Sequence, residues 1–423
     1  MTFQSTTTTT ARTDLVNAWK EVYMPLQAAL NFDCEELELL DTIGDVNVDW
    51  STYKTIMPVD IYEGYGAGAV AEGGYKTIAS SQSVLRAEID VQHYNAAFTQ
   101  SELAQWANAG LSNQVKPQLA LQGAQKLNVL KRHLADYIHG TSVGTLALTD
   151  TDVSSATSAT LTLKAGYGNT GITDGTFITN LFRVGDRIVL VDGSSLVANS
   201  FGTITAITPA TPSITVTFDG SVTVSNNDLK VIKANSKDAT TLAAGSDYNR
   251  GIVGFQDAWF STTVHALSSG TYANWSVASS SSSGGRFNGV KLRTMRDAIR
   301  NYAPSMYKPD VLMIDQGVER DAIAYERVAL RFADSMDMEI DGSIRAKGTT
   351  IFDSRRVPPG YAAIFAKKSV GKIMLTPMPG QPGAGDAEKL EERSSLRFDL
   401  DVVLGTVVKC RKAHAVQTGL TTQ

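Results

Sequence analysis

Residues 99–140 read TQSELAQWANAGLSNQVKPQLALQGAQKLNVLKRHLADYIHG. The first four, Thr99-Gln100-Ser101-Glu102, have the spacing of a capping box, in which a hydroxyl and a carboxylate satisfy two orphan backbone donors, so a helix is expected to start there with Leu103 and Trp106. Gly110 and the Ser112-Asn113 pair break it. In the second piece Pro117 falls in the first turns, where a missing N–H costs little. Leu127, Leu130, Leu134 and Ile138 then recur at helical spacing, with Leu121 and Ala124 one to two turns earlier. Gly140 follows at the usual C′ position. The pattern predicts one helix from Gln114 to His139, roughly 40 Å long at about 1.5 Å per residue.

Around this helix, 423 residues with 43% hydrophobic content are ample for two or three domains. The net charge of −5 gives no global attraction to nucleic acid or to an anionic membrane. Cys34 and Cys410 lie far apart without metal-ligand spacing, which suits a reducing compartment. Met1 to Thr10 is polar and threonine-rich, unlike a signal peptide, and no apolar run reaches the ~18 residues of a membrane span.

The chain falls into stretches of different character. Residues 1–42 look like an arm: a disordered start, a helix from Asp14 to Tyr23 bearing Leu15, Ala18, Trp19 and Val22, then a leucine-rich patch including Leu37. Residues 43–98 read as a long two-stranded excursion with a glycine-rich tip, Tyr62-Glu63-Gly64-Tyr65-Gly66-Ala67-Gly68. These glycines lack the strand–helix context and lysine of a phosphate-binding loop, so a hairpin tip is the reading. After the helix, residues 141–240 are rich in Thr, Ser, Ala, Val and Gly, with period-two alternation in several runs and Asp219-Gly220 as a hairpin turn. That predicts a small β-barrel inserted after the helix. Residues 241–285 read as a loop-rich passage, ending in a flexible low-complexity run, Ser279 to Gly285. Then come a helix from Phe287 to Tyr302, with Phe287, Val290, Met295, Ile299 and Tyr302 on one face, and a buried strand Val311–Ile314. Asp315 caps a further helix bearing Val318, Ala322, Tyr325, Ala329 and Phe332. Strands are expected at 349–352, 361–366 and 370–376, and one long strand or a pair from Leu396 to Lys412.

The catalytic inventory is empty: no nucleophile motif, no metal-spaced pair among His93, His133, His139, His265 and His414, and no cofactor signature. Asp337 to Gly342 resembles the start of a calcium loop, but its twelfth position would be Gly348 where a bidentate Glu is needed.

The order of these pieces resembles the major capsid proteins of tailed bacteriophages, with the Hong Kong 97-type fold. Ala97 to Leu103 resembles the passage from the family's E-loop into its helical region. Leu127 to Gly140 resembles the end of its spine helix, Pro309 to Asp315 its A-domain core, and Phe352 to Leu375 with Leu396 to Ala415 its closing strands. The fold class implied is α+β: N-terminal arm 1–42, E-loop 43–98, spine helix of the peripheral domain 99–140, inserted β-barrel 141–240, A-domain 241–370 and return strands 371–423.

The resemblance further implies a non-enzymatic shell protein that assembles into hexamers and pentamers around double-stranded DNA bound without sequence specificity. It would form virion capsids in the host cytoplasm, with a portal, a possible decoration protein, and no membrane partner or cofactor. No long charged helical segment precedes the arm, so a separate scaffolding protein is implied. Some relatives cross-link Lys to Asn; Lys54 and Lys76 lie in the E-loop, but residues 396–418 contain no Asn, which argues against that chemistry here. Trp19, Leu37, Tyr62, Tyr65 and Tyr75 are the candidate intersubunit contacts. An encapsulin-type compartment enclosing cargo enzymes is the alternative, and an α/β enzyme with a β-barrel appendage a more distant one.

Overall fold

The computed structural model describes residues 43–44, 54–62, 72, 74, 83–101, 116–166, 175–224, 228–234, 245–282, 284–330, 349–353, 356–374, 387–389 and 395–422. The arm, the glycine-rich tip, the calcium-like segment, Cys34 and Phe332 lie outside these residues.

The elements run β1 (Lys54–Tyr62), β2 (Ser83–Asp90), β3 (Gln92–Ser101), α1 (Lys116–His139), β4 (Thr145–Thr149), β5 (Val153–Gly166), α2 (Gly175–Asn180), β6 (Arg187–Asp192), β7 (Ser195–Leu196), β8 (Gly202–Thr208), β9 (Ser213–Val224), β10 (Lys230–Lys233), α3 (Phe255–Phe260), β11 (Thr263–Val264), β12 (Leu267–Ser268), β13 (Ser279–Ser281), α4 (Gly289–Tyr302), β14 (Val311–Ile314), α5 (Gln316–Leu330), β15 (Thr350–Asp353), β16 (Ala362–Phe365), β17 (Val370–Met374), β18 (Ala387–Lys389), β19 (Ser395–Val408) and β20 (His414–Gln417). They form two compact units.

The smaller unit contains 92–101, 116–135, 374, 387–389 and 395–404 of the described residues. Its sheet is built on β19, which pairs antiparallel with β3 from Ser395↔Ser101 to Leu404↔Gln92 and with β18 on its other side. This corrects the capping-box reading. Thr99, Gln100 and Ser101 are strand residues opposite Arg397, Leu396 and Ser395. The ladder gives their backbone groups partners almost 300 residues away, and threonine suits a pleated surface. Most of α1 belongs here too; it is 24 residues long, with Leu130 and Leu134 buried.

In the larger unit β10-β4-β5-β9-β8-β6 form a sheet that closes through an additional β10–β6 pairing, so the insert is a six-stranded barrel with β7 as a short extra strand on β6. Closure leaves few edges on which another chain could add. Leu161, Leu163, Ile188, Leu190, Ile204, Ile214 and Val231 are buried, and Val189, Val191, Phe201 and Ile232 form a second cluster with Leu196, Ala234 and Tyr248. Burial of successive residues along β6 explains its uninterrupted apolar run. Asp219-Gly220 is not a hairpin turn but lies inside β9. Ser158 faces Thr217 while Ala156 faces Val222, so the extra β9 residues bulge.

A second sheet has the order β13-β20-β16-β14-β15. Helices α4 and α5 cover one face, with Phe287, Leu292, Met295, Ile299, Val318 and Ala322 packed on Leu312, Ile314, Ala362, Ile364 and Ala415. The Asn288 side chain caps α4 by accepting from the Lys291 N–H at 3.0 Å. Asp315 caps α5, accepting from the Val318 N–H at 3.4 Å and from the Gly360 N–H at 3.2 Å. Two assignments on α4 are corrected: Val290 is 72% exposed and Tyr302 63%, while Leu292 takes the core position. At 100° per residue Leu292, Met295 and Ile299 share a narrow stripe that Val290 cannot join. The serine run is corrected as well. Ser279, Ser280 and Ser281 form β13, parallel to Ala415, Val416 and Gln417, because small polar side chains suit an edge strand.

Candidate functional site

Polar groups that could carry chemistry are concentrated in the interior of the larger unit. Ser369 and His414 look most like a catalytic pair: the serine Oγ is 3.0 Å from the histidine Nε2. Its hydroxyl, however, donates to the Ala366 carbonyl at 2.5 Å, so the imidazole N–H donates to the serine oxygen. That polarity is the reverse of what a general base requires. Both residues are fully buried, and His414 stacks on Phe365 with centroids 5.6 Å apart. Burial, aided by the Arg411 charge, lowers the His414 pKa to about 3. The pair is a structural tie.

The densest charge constellation sits at the end of α1. Asp136 lies in the last turn, where the helix dipole disfavours an anion. Two cations offset this: Lys233 from the end of β10, with Nζ 2.5 Å from one carboxylate oxygen, and Arg356, with Nη1 2.6 Å from the other. All three side chains are at least nine-tenths buried. His139, one turn on, is held neutral by burial and by the Arg356 charge, its pKa lowered to about 3. The barrel neck closes beside them. Ala234 bridges to Ser246, the Asp247 N–H donates to the Lys233 carbonyl at 3.1 Å, and the Tyr137 hydroxyl donates to the Asp247 carboxylate at 2.5 Å. A Cβ on Gly254 would run into the Gly140 and Tyr137 carbonyl oxygens, so only glycine permits this approach of backbone to the helix end.

A third constellation supports the ribbon of β1 and β2, whose register runs from Lys54↔Asp90 to Tyr62↔Ser83. Its inner face, with Met57, Val59, Leu85 and Ala87, packs on Leu267, Tyr272 and Trp275, while Ile89 meets Ile373 and Val407. Beneath it Arg411 donates to three carbonyls: Nε to Ala258 at 2.9 Å, Nη1 to Trp275 at 3.0 Å and Nη2 to Ser261 at 2.8 Å. Burial lowers its pKa to about 10. His265 and Ala266 both have positive φ, 52° and 64°, and form the two-residue turn between β11 and β12. The His265 carbonyl accepts from the Glu88 N–H, and its Nε2 accepts from the Val408 N–H, each at 3.0 Å. The outer face of the ribbon exposes Ile56 and Val84, 54% and 52%, among Pro58, Asp60, Arg86 and Glu88.

Of the candidate contact residues, Trp19, Leu37, Tyr65 and Tyr75 lie outside the described residues. Tyr62 ends β1, and its side chain is likewise outside them. Asp136, Lys233, Arg356, His265 and Arg411 were not singled out from sequence. One signal was available, an acidic residue in the last turn of a long helix against the dipole; nothing local marks the others. Among the described residues no group of His, Cys, Asp and Glu is placed to hold a metal, and no helix is long and apolar enough to cross a membrane.

No protein-family model matches the chain, and no curated protein sequence does. Solved structures do. The chain has the fold of the protein in the Cyanophage A-1(L) capsid asymmetric unit: TM-score 0.53 at 11% identity, covering 96% of this chain and 98% of that one. The capsid of the native GTA particle aligns at TM-score 0.47 and 10% identity over 95% of both chains. The capsid of Cyanophage P-SCSP1u aligns at 0.45 and 9%, over 96% of this chain and 95% of that one. The chain thus shares the fold of that cyanophage capsid chain from end to end, with the small β-barrel carried on a mixed α+β body.

Proposed function

We propose that the chain is the major capsid protein of a tailed phage. It assembles into hexamers and pentamers of an icosahedral head that encloses double-stranded DNA, and it performs no catalysis. The observation that carries this reading is the end-to-end likeness, 96% of one chain on 98% of the other, to a protein in an assembled capsid. A single domain borrowed from that fold would not align over its full length. In this reading α1 is the spine helix, the β1–β2 ribbon is the base of the E-loop, the sheet under α4 and α5 is the A-domain, and β19 belongs to the peripheral domain of a Hong Kong 97-type subunit.

The internal polar groups fit such a role. Each ties segments distant in sequence without offering a reacting atom to solvent, as a subunit that bears load through its backbone requires. A separate scaffolding protein, a portal and a possible decoration protein complete the expected partners, with assembly in the host cytoplasm. The cargo-compartment alternative has no observation in its favour. The test is to express the full chain with and without its neighbouring head genes and weigh the products by native mass spectrometry. Masses of five and six chains support the reading; a monomer or dimer under all conditions opposes it.

A further inference from the structure

Stretches distant in sequence converge where the described chain begins. The Lys372 N–H donates to the Gly44 carbonyl at 3.1 Å, and Ile43 beside it is buried. Just before Lys372, the Ser369 carbonyl accepts from the Lys409 N–H at 2.7 Å, and the Ala366 N–H donates to the Ala413 carbonyl at 3.2 Å. The turns 367–369 and 411–413 therefore lie side by side. The Lys367 N–H donates to the Asp310 carboxylate at 2.6 Å, which ties in the loop after α4. The Lys412 ammonium donates to the Ser276 hydroxyl at 2.9 Å and lies over the Tyr302 ring, 5.4 Å from its centroid. This surface carries Lys308, Lys367 and Lys368, all exposed, with Lys409 and Lys412 half-buried. Residues 366–373 and 405–417 contain no acid, and none of these five lysines is ion-paired. Among them Tyr302 is 63% exposed and Met306 62%.

We infer that this lysine-rich surface is the docking site for residues 32–41 of the same chain. The segment lies outside the described residues and reads FDCEELELLD: five acids and no cation, interleaved with Phe32, Leu37, Leu39 and Leu40. Charge and apolar content both match. The acids answer lysines that have no acid of their own, and the leucines can cover Tyr302 and Met306, which stand exposed. Chain continuity brings the two together. At about 3.3–3.6 Å per residue, Asp41, Leu40 and Leu37 can stand up to about 10, 14 and 25 Å from the Gly44 contact, and Lys367 lies at most about 18 Å from Lys372. The tether also selects the occupant. Exposed ion pairs are individually weak, but a short linker holds this segment at an effective concentration in the millimolar range, which a second copy would have to exceed. The inference does not depend on the capsid reading, and it places Leu37 on its own subunit.

The test uses the full-length chain, with unlabelled and heavy-isotope-labelled chains mixed before any assembly. A zero-length carbodiimide then joins carboxylates to amines in direct contact. Expected are links from residues 33–41 to Lys367, Lys368, Lys409 or Lys412, found by mass spectrometry only between peptides of the same label. Mixed-label links would give the surface to a second copy and overturn the inference, as would the lack of any link between these acids and these lysines. A second readout is the rate at which chymotrypsin cuts at Phe32, Leu37, Leu39 and Leu40, which follows the population of undocked segment. The variant K367E/K368E, shown to be folded by circular dichroism, should be cut about tenfold faster. Salt at about 1 M, where the Debye length falls to about 3 Å, should speed cutting of the wild-type chain as well. The charge swap E35K/E36K/K367E/K368E should return towards the wild-type rate. Equal rates for the wild type and K367E/K368E would overturn the inference, and so would a swap variant cut as fast as K367E/K368E.

Discussion

Lys233, the last residue of the barrel, places its ammonium 2.5 Å from the carboxylate of Asp136 in the last turn of the long helix, and both side chains are almost wholly buried. The insert is thus joined to its helix by a charge pair across 97 residues of sequence as well as by its two chain connections. Arg356 on the other carboxylate oxygen makes a cluster of two cations and one anion. Burying such charges costs several kcal/mol each, and their mutual attraction offsets that cost only while the set is complete.

Removing one member should therefore be worse than removing the pair. Asp136→Asn leaves two buried cations facing each other and should destabilise by about 3–5 kcal/mol. Lys233→Met leaves Asp136 with Arg356 and should cost less. The double variant Asp136→Asn with Lys233→Met should recover part of the loss. Denaturant unfolding of the four proteins measures the coupling; strictly additive losses would show that the pair contributes nothing as a pair.

Arg411→Lys should destabilise the ribbon's support by about 3 kcal/mol, because one ammonium cannot reach the three carbonyls the guanidinium holds. Hydrogen exchange should show the amides of Glu88 and Val408 losing protection first. Unchanged exchange there would detach Arg411 from the ribbon.

Stability should fall steeply in mild acid. Burial holds His139 and His414 at about 3 and His265 at about 4, below the 6.5 of the unfolded chain. For a depressed pKa the unfolded state takes up the proton first. Stability is therefore full above pH 6.5 and falls as the pH drops towards 4, by about 1.4 kcal/mol per pH unit for each histidine. Unfolding free energies between pH 7.5 and 4.5 should show uptake of about three protons from this set, and about two in His139→Phe. A flat profile would contradict the buried neutral imidazoles.

The barrel should fold alone. Expressed as residues 141–248, it keeps the closing β10–β6 pairing and the Ala234–Ser246 bridge, and excision returns Lys233 to water, where its charge costs nothing. Dispersed amide proton shifts and a cooperative melt are expected. A collapsed spectrum would mean that the neck, and not the barrel's own core, sustains the strands.

What could be read from sequence was whatever depends on neighbours within a few residues. Leu130, Leu134 and Ile138 announce α1, Asp315 announces the start of α5, and the alternation from 182 to 232 announces strands that proved to close. The failures have one cause. Thr99 to Ser101 has the local form of a helix cap, Asp219-Gly220 of a turn and Ser279 to Ser281 of a linker, yet each is drawn into a ladder by a strand elsewhere in the chain. Val290 and Tyr302 are apolar enough for a core, but the direction of the α4 stripe leaves Val290 outside, and Tyr302, close to the stripe in azimuth, is the last residue of the helix and is exposed there. The charge cluster at Asp136 was illegible for the same reason, since its cations come from positions 233 and 356.

The most direct test of the central claim is cryo-electron microscopy of particles formed by the full chain co-expressed with its head genes. Closed icosahedral shells are predicted, with this chain traced at both five-fold and six-fold positions. Particles built of another protein, or this chain only in open or small assemblies, would contradict it.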